Sequence, residues 1–249
     1  MYRHSIHTEG GNLMRRRLVI SQVYNLRELG GFETDDHQIT VPHIFLRSDN
    51  LTDINPSDIQ NLKQYGLSDV IDLRHQNECL AAKDPFENDP NVHYHHLSLI
   101  KAAMDEKIPS TYTLEMLYID LLDSKDIILN IFEIFAKAKG TVLFHCTAGK
   151  DRTGVITALL LLAMNVSEQD VIADYQVSDT YLYKKYKITD QSLALEKQHL
   201  IYSKPNTMIV FLRHLKKTYG NARNYLNSIG VDESLLQQIE AKFLIQDLD

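Results

Sequence analysis

Residues 145–154 read HCTAGKDRTG, a run that crowds a thiol, an imidazole, a carboxylate and two cations into one short loop. Such a run could hold a nucleotide, a metal ion or a phosphate, or could carry a reactive sulfur. Each option demands a different spacing. A nucleotide-binding loop needs a glycine, four residues, then Gly-Lys-Ser/Thr. Here Gly149-Lys150 is followed by Asp151, and position 144 is Phe. A metal set needs several convergent ligands. His145 and Cys146 are neighbours at a strand end and point to different sides, and no second cysteine lies nearby. No metal and no organic cofactor is expected.

A phosphate cradle fits every residue. Cys146 opens the loop and Arg152 lies six positions on. The residues between them are Thr147, Ala148, Gly149, Lys150 and Asp151. They can curl with their N–H groups inward, because a helix start leaves its first N–H groups unpaired and carries the positive end of the dipole. The Arg152 guanidinium closes the ring and grips phosphate oxygens bidentately, while Lys150 adds a less directional charge. A thiolate on the floor would attack phosphorus in line. The N–H dipoles and Arg152 pull the thiol below its ordinary value. Thr153 can hydrogen-bond the sulfur and ease its departure from a phosphocysteine. The bland alternative, a buried cysteine beside a surface arginine, leaves the strand–loop–helix context unexplained.

Several elements must position this loop. TVLFH (141–145) reads as a short buried strand before it, and RTGVITALLLLAMN (152–165), apolar almost all round, as a buried helix after it. ITVPHIFLRS (39–48) reads as an early strand, LSDVIDLR (67–74) as a buried strand ending near Asp72, and PNVHYHHLSLI (90–100) as another strand. NPSDIQNLKQYG (55–66) is a helix with Asn55 as N-cap, Pro56 first inside and Gly66 as the stop. TLEMLYIDLL (113–122) and KDIILNIFEIFAKAKG (125–140) read as helices, the second stopped by Gly140. SEQDVIADYQ (167–176) opens with a capping-box-like Ser167 and Asp170. NTMIVFLRHLKKTYG (206–220) and VDESLLQQIEAKFLI (231–245) are amphipathic. The segment 101–110 lacks periodicity and reads as a surface loop or lid. Short apolar strands separated by helices predict an α/β fold with a mainly parallel central sheet flanked by helices, and a helical C-terminal part.

Composition sets the class. The 249 residues allow a sizeable core, and 44% hydrophobic with 24% charged residues is ordinary for a globular protein. The formal charge of −7 repels anions overall, so an anionic substrate must be drawn by a local basic site, and nucleic acid is not expected as a partner. Two cysteines, Cys79 and Cys146, make no disulfide framework and suit a reducing cytoplasm. No Sec signal is visible at the N-terminus, and export by another route is left open. The longest apolar run, 155–166, is too short to span a bilayer.

The motif Cys-x5-Arg-Thr resembles that of the protein tyrosine phosphatase superfamily, and HCTAGKDRTG as a whole is similar to the atypical bacterial tyrosine/dual-specificity phosphatases, some of which also hydrolyse phosphoinositides. NLRELGG (25–31) resembles the family's early Asn-Phe-Arg-Asp-Leu-Gly-Gly box, with Leu26 and Glu28 as departures. FLRSDNL (45–51), VIDLRHQNE (70–78), ADYQVSDTYL (173–182) and TYGNARNYL (218–226) resemble further boxes. The resemblance implies a tyrosine-phosphatase-like domain over 25–249, with 1–24 as an N-terminal arm. It implies Cys146 as nucleophile, Arg152 as phosphate binder and transition-state stabiliser, and His145 as the residue that orients the loop and tunes the thiolate. Many such enzymes carry their general acid on a Trp-Pro-Asp loop, but this chain has no Trp. Asp151 is then the family-supported acid and Asp72 the second candidate. Lys150 and Arg152 favour the ionised form of Asp151, which counts against it as a donor; Asp72 could instead pair with Arg74 or Arg47. A Lys at position 150 goes with phosphoinositide or multi-specific activity in this family, against a plain surface lysine.

The substrate expected is a phosphorylated protein, on phosphotyrosine and in some readings phosphoserine or phosphothreonine, with phosphoinositides and a non-catalytic phosphoresidue-binding module as rivals. Two further stretches carry two readings each. HYHH (93–96) is a metal site or a half-exposed edge strand. YLYKKYK (181–187) contacts anionic lipid or acidic phosphopeptide at a membrane surface, or is a helix with a solvated Lys face. RRR (15–17) reads as a solvated arm. Cys79 either pairs reversibly with Cys146 or is a buried free thiol.

Overall fold

The computed structural model describes residues 16–100, 112–189 and 202–246. Segment 101–110, read as a loop or lid, lies outside them. Five strands form the main sheet in the order β1-β3-β6-β4-β5: β1 (Arg27–Glu28), β3 (Phe45–Ser48), β6 (Thr141–His145), β4 (Leu67–Asp72) and β5 (His93–His96). The β3–β6, β6–β4 and β4–β5 pairs are parallel, and β1 runs antiparallel on the edge. The expected mainly parallel sheet is therefore present. The early strand of 39–48 is in fact two, interrupted by a turn at Pro42: β2 (Gln38–Thr40) leaves the main sheet and pairs with β7 (Leu244–Gln246). β5 is shorter than the 90–100 segment suggested.

Alternation in the strands sorts side chains between two apolar layers. Phe45, Ile71, Val142 and Phe144 face one layer, and Leu46, Val70 and Leu143 the other. The thin layer is covered by α1 (Pro56–Tyr65), capped by Asn55, whose side chain accepts from the Asp58 N–H, and ended by Gly66 at φ 108°. The thick layer takes α3 (Leu114–Leu121), α4 (Lys125–Lys137), α5 (Asp151–Ala163), α6 (Glu168–Thr189), α7 (Pro205–Tyr219), α8 (Ala222–Ser228) and α9 (Glu233–Phe243). A short helix, α2 (Gln76–Ala81), follows β4. α5 is buried nearly throughout, as its all-round apolarity demands. The stop of α4 is Ala138 rather than Gly140. Gly140 serves a close approach instead, since a Cβ there would sit 2.5 Å from the Gly66 carbonyl oxygen.

The parallel register aligns the carboxyl ends of three strands: Ser48 faces His145, and His145 faces Asp72. The β6–α5 loop opens at this edge, where open α/β sheets place their sites. One buried carboxylate locks the region. Asp174 on α6 takes the Arg27 Nε at 2.9 Å, the Arg47 Nη1 at 2.6 Å and the Arg16 Nη2 at 2.9 Å. Burial alone would raise Asp174, but Arg27 and Arg47 outweigh it and hold the carboxyl well below the usual range. Residues 16 and 17 are not a solvated arm. Besides the Asp174 pair, Arg16 stacks on Phe32 at 3.8 Å and Arg17 on Tyr181 at 4.2 Å. Asp174→Asn keeps the shape and removes the charge from three arginines. It is expected to cost about 3–5 kcal/mol, read as a fall in thermal midpoint of roughly 6 °C or more; an unchanged midpoint would show that the cluster does not hold α6 to the sheet.

Candidate active site

The loop between β6 and α5 is shaped from outside. The Thr147 carbonyl accepts from the Asn50 N–H at 3.3 Å. The Ala148 and Gly149 carbonyls each accept from the Asn25 Nδ2 at 3.0 Å, and Gly149 also from the Arg47 Nη2 at 2.8 Å. Peptide units are planar and trans, so a carbonyl drawn outward turns the next N–H inward. The N–H groups of Ala148, Gly149 and Lys150 thereby face the concave side. Gly149 has φ 64°, and a Cβ there would lie 2.2 Å from the Ser48 carbonyl oxygen, so only glycine lets the loop pass the end of β3.

Cys146 lies at the base of this loop, 2% exposed. Burial raises its thiol, but the Arg152 charge and hydrogen bonding from Thr153 outweigh that and leave it below the ordinary value. The Thr153 hydroxyl is buried, and it and the Thr153 backbone N–H both favour the thiolate. Arg152 is fixed by a residue that the spacing argument did not pick. Glu78 on α2 takes the Arg152 Nη1 on Oε2 at 2.5 Å and Nη2 on Oε1 at 2.9 Å. Glu78 also accepts from the Thr147 hydroxyl and caps its own helix through the His75 N–H at 2.8 Å. Burial opposes its charge, but Arg152 and Thr147 bring it down to about 2. This end-on grip occupies the two Nη atoms and leaves the Nε side of the guanidinium for an oxyanion.

Behind the thiol, fully buried His145 faces the Asp84 Oδ2 at 3.2 Å and the Asp72 Oδ1 at 3.9 Å. Burial lowers the imidazole, but Asp72 and Asp84 reverse this and raise it. Asp72, the second candidate acid, is locked onto Arg74, with Nη2 at 2.6 Å and Nε at 2.9 Å, and receives the Tyr94 hydroxyl at 2.8 Å. Burial pushes it up, yet His145 and Arg74 hold it well below the usual carboxylate range. A carboxylate so held has no proton to give at neutral pH. Asp72, Asp84 and His145 are also the one group among the described residues close enough to share a cation, within 4.8 Å of one another. Arg74 already supplies positive charge to Asp72, so these donors need no metal for balance.

Asp151 opens α5 and is partly exposed. Its Oδ1 accepts from the Tyr118 hydroxyl at 2.6 Å and lies 3.5 Å from the Lys150 Nζ. Lys150 itself is 1% exposed, so it is not the plain surface lysine that the sequence allowed. The other stretches take the following places in the fold. β5 is the sheet edge, with His95 on Asp69 at 2.9 Å and His96 on the Arg74 carbonyl at 2.9 Å. Residues 181–185 belong to α6, where Lys185 pairs with Asp49 at 2.9 Å. Cys79 and Cys146 are both free thiols, Cys79 donating to Asp72 at 3.4 Å.

A family model described as "Tyrosine phosphatase family" matches residues 18–245. This chain belongs to the tyrosine phosphatase family. Its members are phosphoric monoester hydrolases. A tyrosine-protein phosphatase of Nostoc commune is 32% identical over 216 residues, 80% of this chain and 73% of that protein. A Cupriavidus necator protein, provisionally named a tyrosine-protein phosphatase, is 31% identical over 178 residues, 66% of this chain and 64% of that one. The triple specificity protein phosphatase PtpB of Mycobacterium tuberculosis is 26% identical over 128 residues, 41% of this chain and 44% of PtpB.

In this phosphatase the residues overlooked by motif spacing are Asn25, Arg47, Glu78, Asp84, Tyr118 and Asp174. Four of them, Asn25, Arg47, Glu78 and Asp174, lie inside the boxes that resembled the family. The resemblance marked the positions but not their partners. Glu78→Gln keeps the side chain's size and removes the charge facing Arg152. KM for a phosphate monoester is expected to rise roughly ten- to hundredfold, the worth of a lost hydrogen bond to a charged group. Steady-state kinetics on an aryl phosphate reads this; an unchanged KM would mean that Glu78 caps α2 and nothing more.

Proposed function

We propose that this phosphatase hydrolyses phosphotyrosine through a phosphocysteine intermediate. The observation that carries the reading is the buried Cys146 thiol, lowered by Arg152 and Thr153 beneath a loop whose carbonyls are drawn away from it. The Cys146 thiolate attacks phosphorus, an S–P bond forms and the P–O bond to the tyrosyl oxygen breaks. Asp151 gives that oxygen a proton. Water then attacks phosphorus, its proton passes to the Asp151 carboxylate, and the S–P bond breaks to return the thiolate and release phosphate. The side-on fork of Arg152 and the N–H groups of 148–150 hold the three equatorial oxygens.

Asp151 is preferred over Asp72 as acid because Asp72 is sealed against Arg74, while Asp151 is partly exposed at the start of α5 and its charge is felt at Cys146. Phosphoserine and phosphothreonine form a second reading, favoured by similarity to PtpB, whose name states triple specificity. Phosphoinositides are the weaker option, since the Lys150 ammonium is buried. No described helix is long and apolar enough to cross a membrane, and a cytoplasmic setting fits the two free thiols.

Cys146→Ser is expected to lower turnover of a phosphotyrosine peptide by roughly 10^4–10^6-fold while the peptide still binds; near-normal turnover would sink the mechanism. The thiols also differ in reactivity. Burial and the neighbouring Asp72 push Cys79 up to about 12, whereas Cys146 is shifted down. Iodoacetamide at pH 7 should therefore label Cys146 first, with inorganic phosphate protecting it, as read by peptide mass. Its rate should rise with pH to a midpoint below the ordinary thiol value, and Arg152→Ala should move that midpoint up. Preferential labelling of Cys79 would contradict the assignment.

A further inference from the structure

We propose that Tyr118 is a positioning residue for Asp151: its hydroxyl occupies Oδ1 and so leaves Oδ2 as the oxygen that delivers the proton. This inference rests on Asp151 being the acid. Tyr118 comes from α3, thirty-three residues before Asp151, and is fully buried between Tyr175 and Phe211, with ring centroids at 6.0 and 6.3 Å. A buried tyrosine hydroxyl needs a partner, and leaving it unpaired costs about 1–3 kcal/mol. Two oxygens flank it: the Asp151 Oδ1 at 2.6 Å and the Tyr175 hydroxyl at 3.0 Å.

A phenol has one hydrogen to give. If Tyr118 gives its own to Asp151, the Tyr175 hydroxyl must be the donor to Tyr118, and a directed chain Tyr175→Tyr118→Asp151 results. Burial, then Asp151 and Tyr175, keep the Tyr118 phenol protonated far above its ordinary range, so its donor role persists at any working pH. The Lys150 Nζ approaches the same Oδ1 at 3.5 Å. Oδ1 therefore accepts the Tyr118 hydrogen and faces the Lys150 ammonium. A carboxylic proton is disfavoured on an oxygen so occupied, so it resides on Oδ2. The contact also stops rotation about the terminal torsion of Asp151, a torsion that is otherwise broad. A fixed acid on a helix start replaces the separate acid-bearing loop that a chain without Trp does not have in its usual form.

The test is a double-mutant cycle with Tyr118→Phe and Asp151→Asn, reading kcat/KM on two esters. This parameter reports transfer to sulfur, where the acid acts. A phosphotyrosine peptide has a poor leaving group and needs the proton; p-nitrophenyl phosphate leaves readily without it. D151N should lower kcat/KM on the peptide about 10^2-fold and much less on p-nitrophenyl phosphate. Y118F should lower the peptide value about tenfold, spare p-nitrophenyl phosphate to within about threefold, and add nothing in the D151N background. Equal losses on both esters, full additivity with D151N, or no loss at all would overturn the positioning role. If D151N itself leaves the two esters equally affected, the acid assignment fails first, and that result is distinct from a failure confined to Y118F. Should Y118F not fold, Tyr175→Phe weakens the same chain one link back. It must then show the same ester selectivity at about two- to threefold, and an equal loss on both esters overturns the proposal.

Discussion

Everything at the site depends on turning carbonyl oxygens away from a buried sulfur. A thiolate without water around it is stable only where the nearest dipoles and charges are positive. A tight loop presents N–H groups and carbonyls in equal number, so the carbonyls must be held elsewhere. Asn25 and Arg47 do this by binding the Ala148 and Gly149 oxygens from outside. Asp174 bridges Arg47 and Arg27 and so holds the Arg47 side chain where it reaches the loop. A carboxylate on α6 thus supports a thiol on the far side of the loop, although the two do not touch.

Charge is arranged in the same manner around the rest of the site. Each buried cation there is matched: Arg74 with Asp72, Arg152 with Glu78, His145 with Asp84 and Asp72. Pairing offsets part of the penalty of burying them and fixes their geometry. The overall charge is −7, yet the loop keeps a positive face through oriented N–H groups and the Nε side of one guanidinium. Glu78 holds Arg152 end-on and so leaves this second fork for a phosphate.

The fold was legible where periodicity decides it. The apolar run of α5, the short buried strands β4 and β6, and the Asn55, Pro56 and Gly66 signals around α1 read correctly because those patterns are local. The early strand was misread as continuous. Pro42 interrupts it, and β2 turns away to meet β7, more than two hundred residues later, a pairing that no local pattern encodes. The arginines at 16 and 17 looked solvated because charge near a terminus usually is. Their partners, Asp174, Phe32 and Tyr181, are distant in sequence.

At the site, the sequence by itself determined the order of groups in the loop. Six positions from Cys146 to Arg152, with a glycine between them, demand a cradle whatever surrounds it, since chain length and glycine's freedom are local properties. The family boxes pointed to further positions without roles. Tertiary structure alone decided what surrounds each aspartate. Asp72 and Asp151 are the same side chain, one closed in by Arg74 and Tyr94, the other at a helix start beneath Tyr118. It also placed Lys150 inside the protein and Glu78 on Arg152. Protonation and hydrogen bonding follow from burial and from neighbours across strands and helices, and those neighbours exist only once the chain has folded.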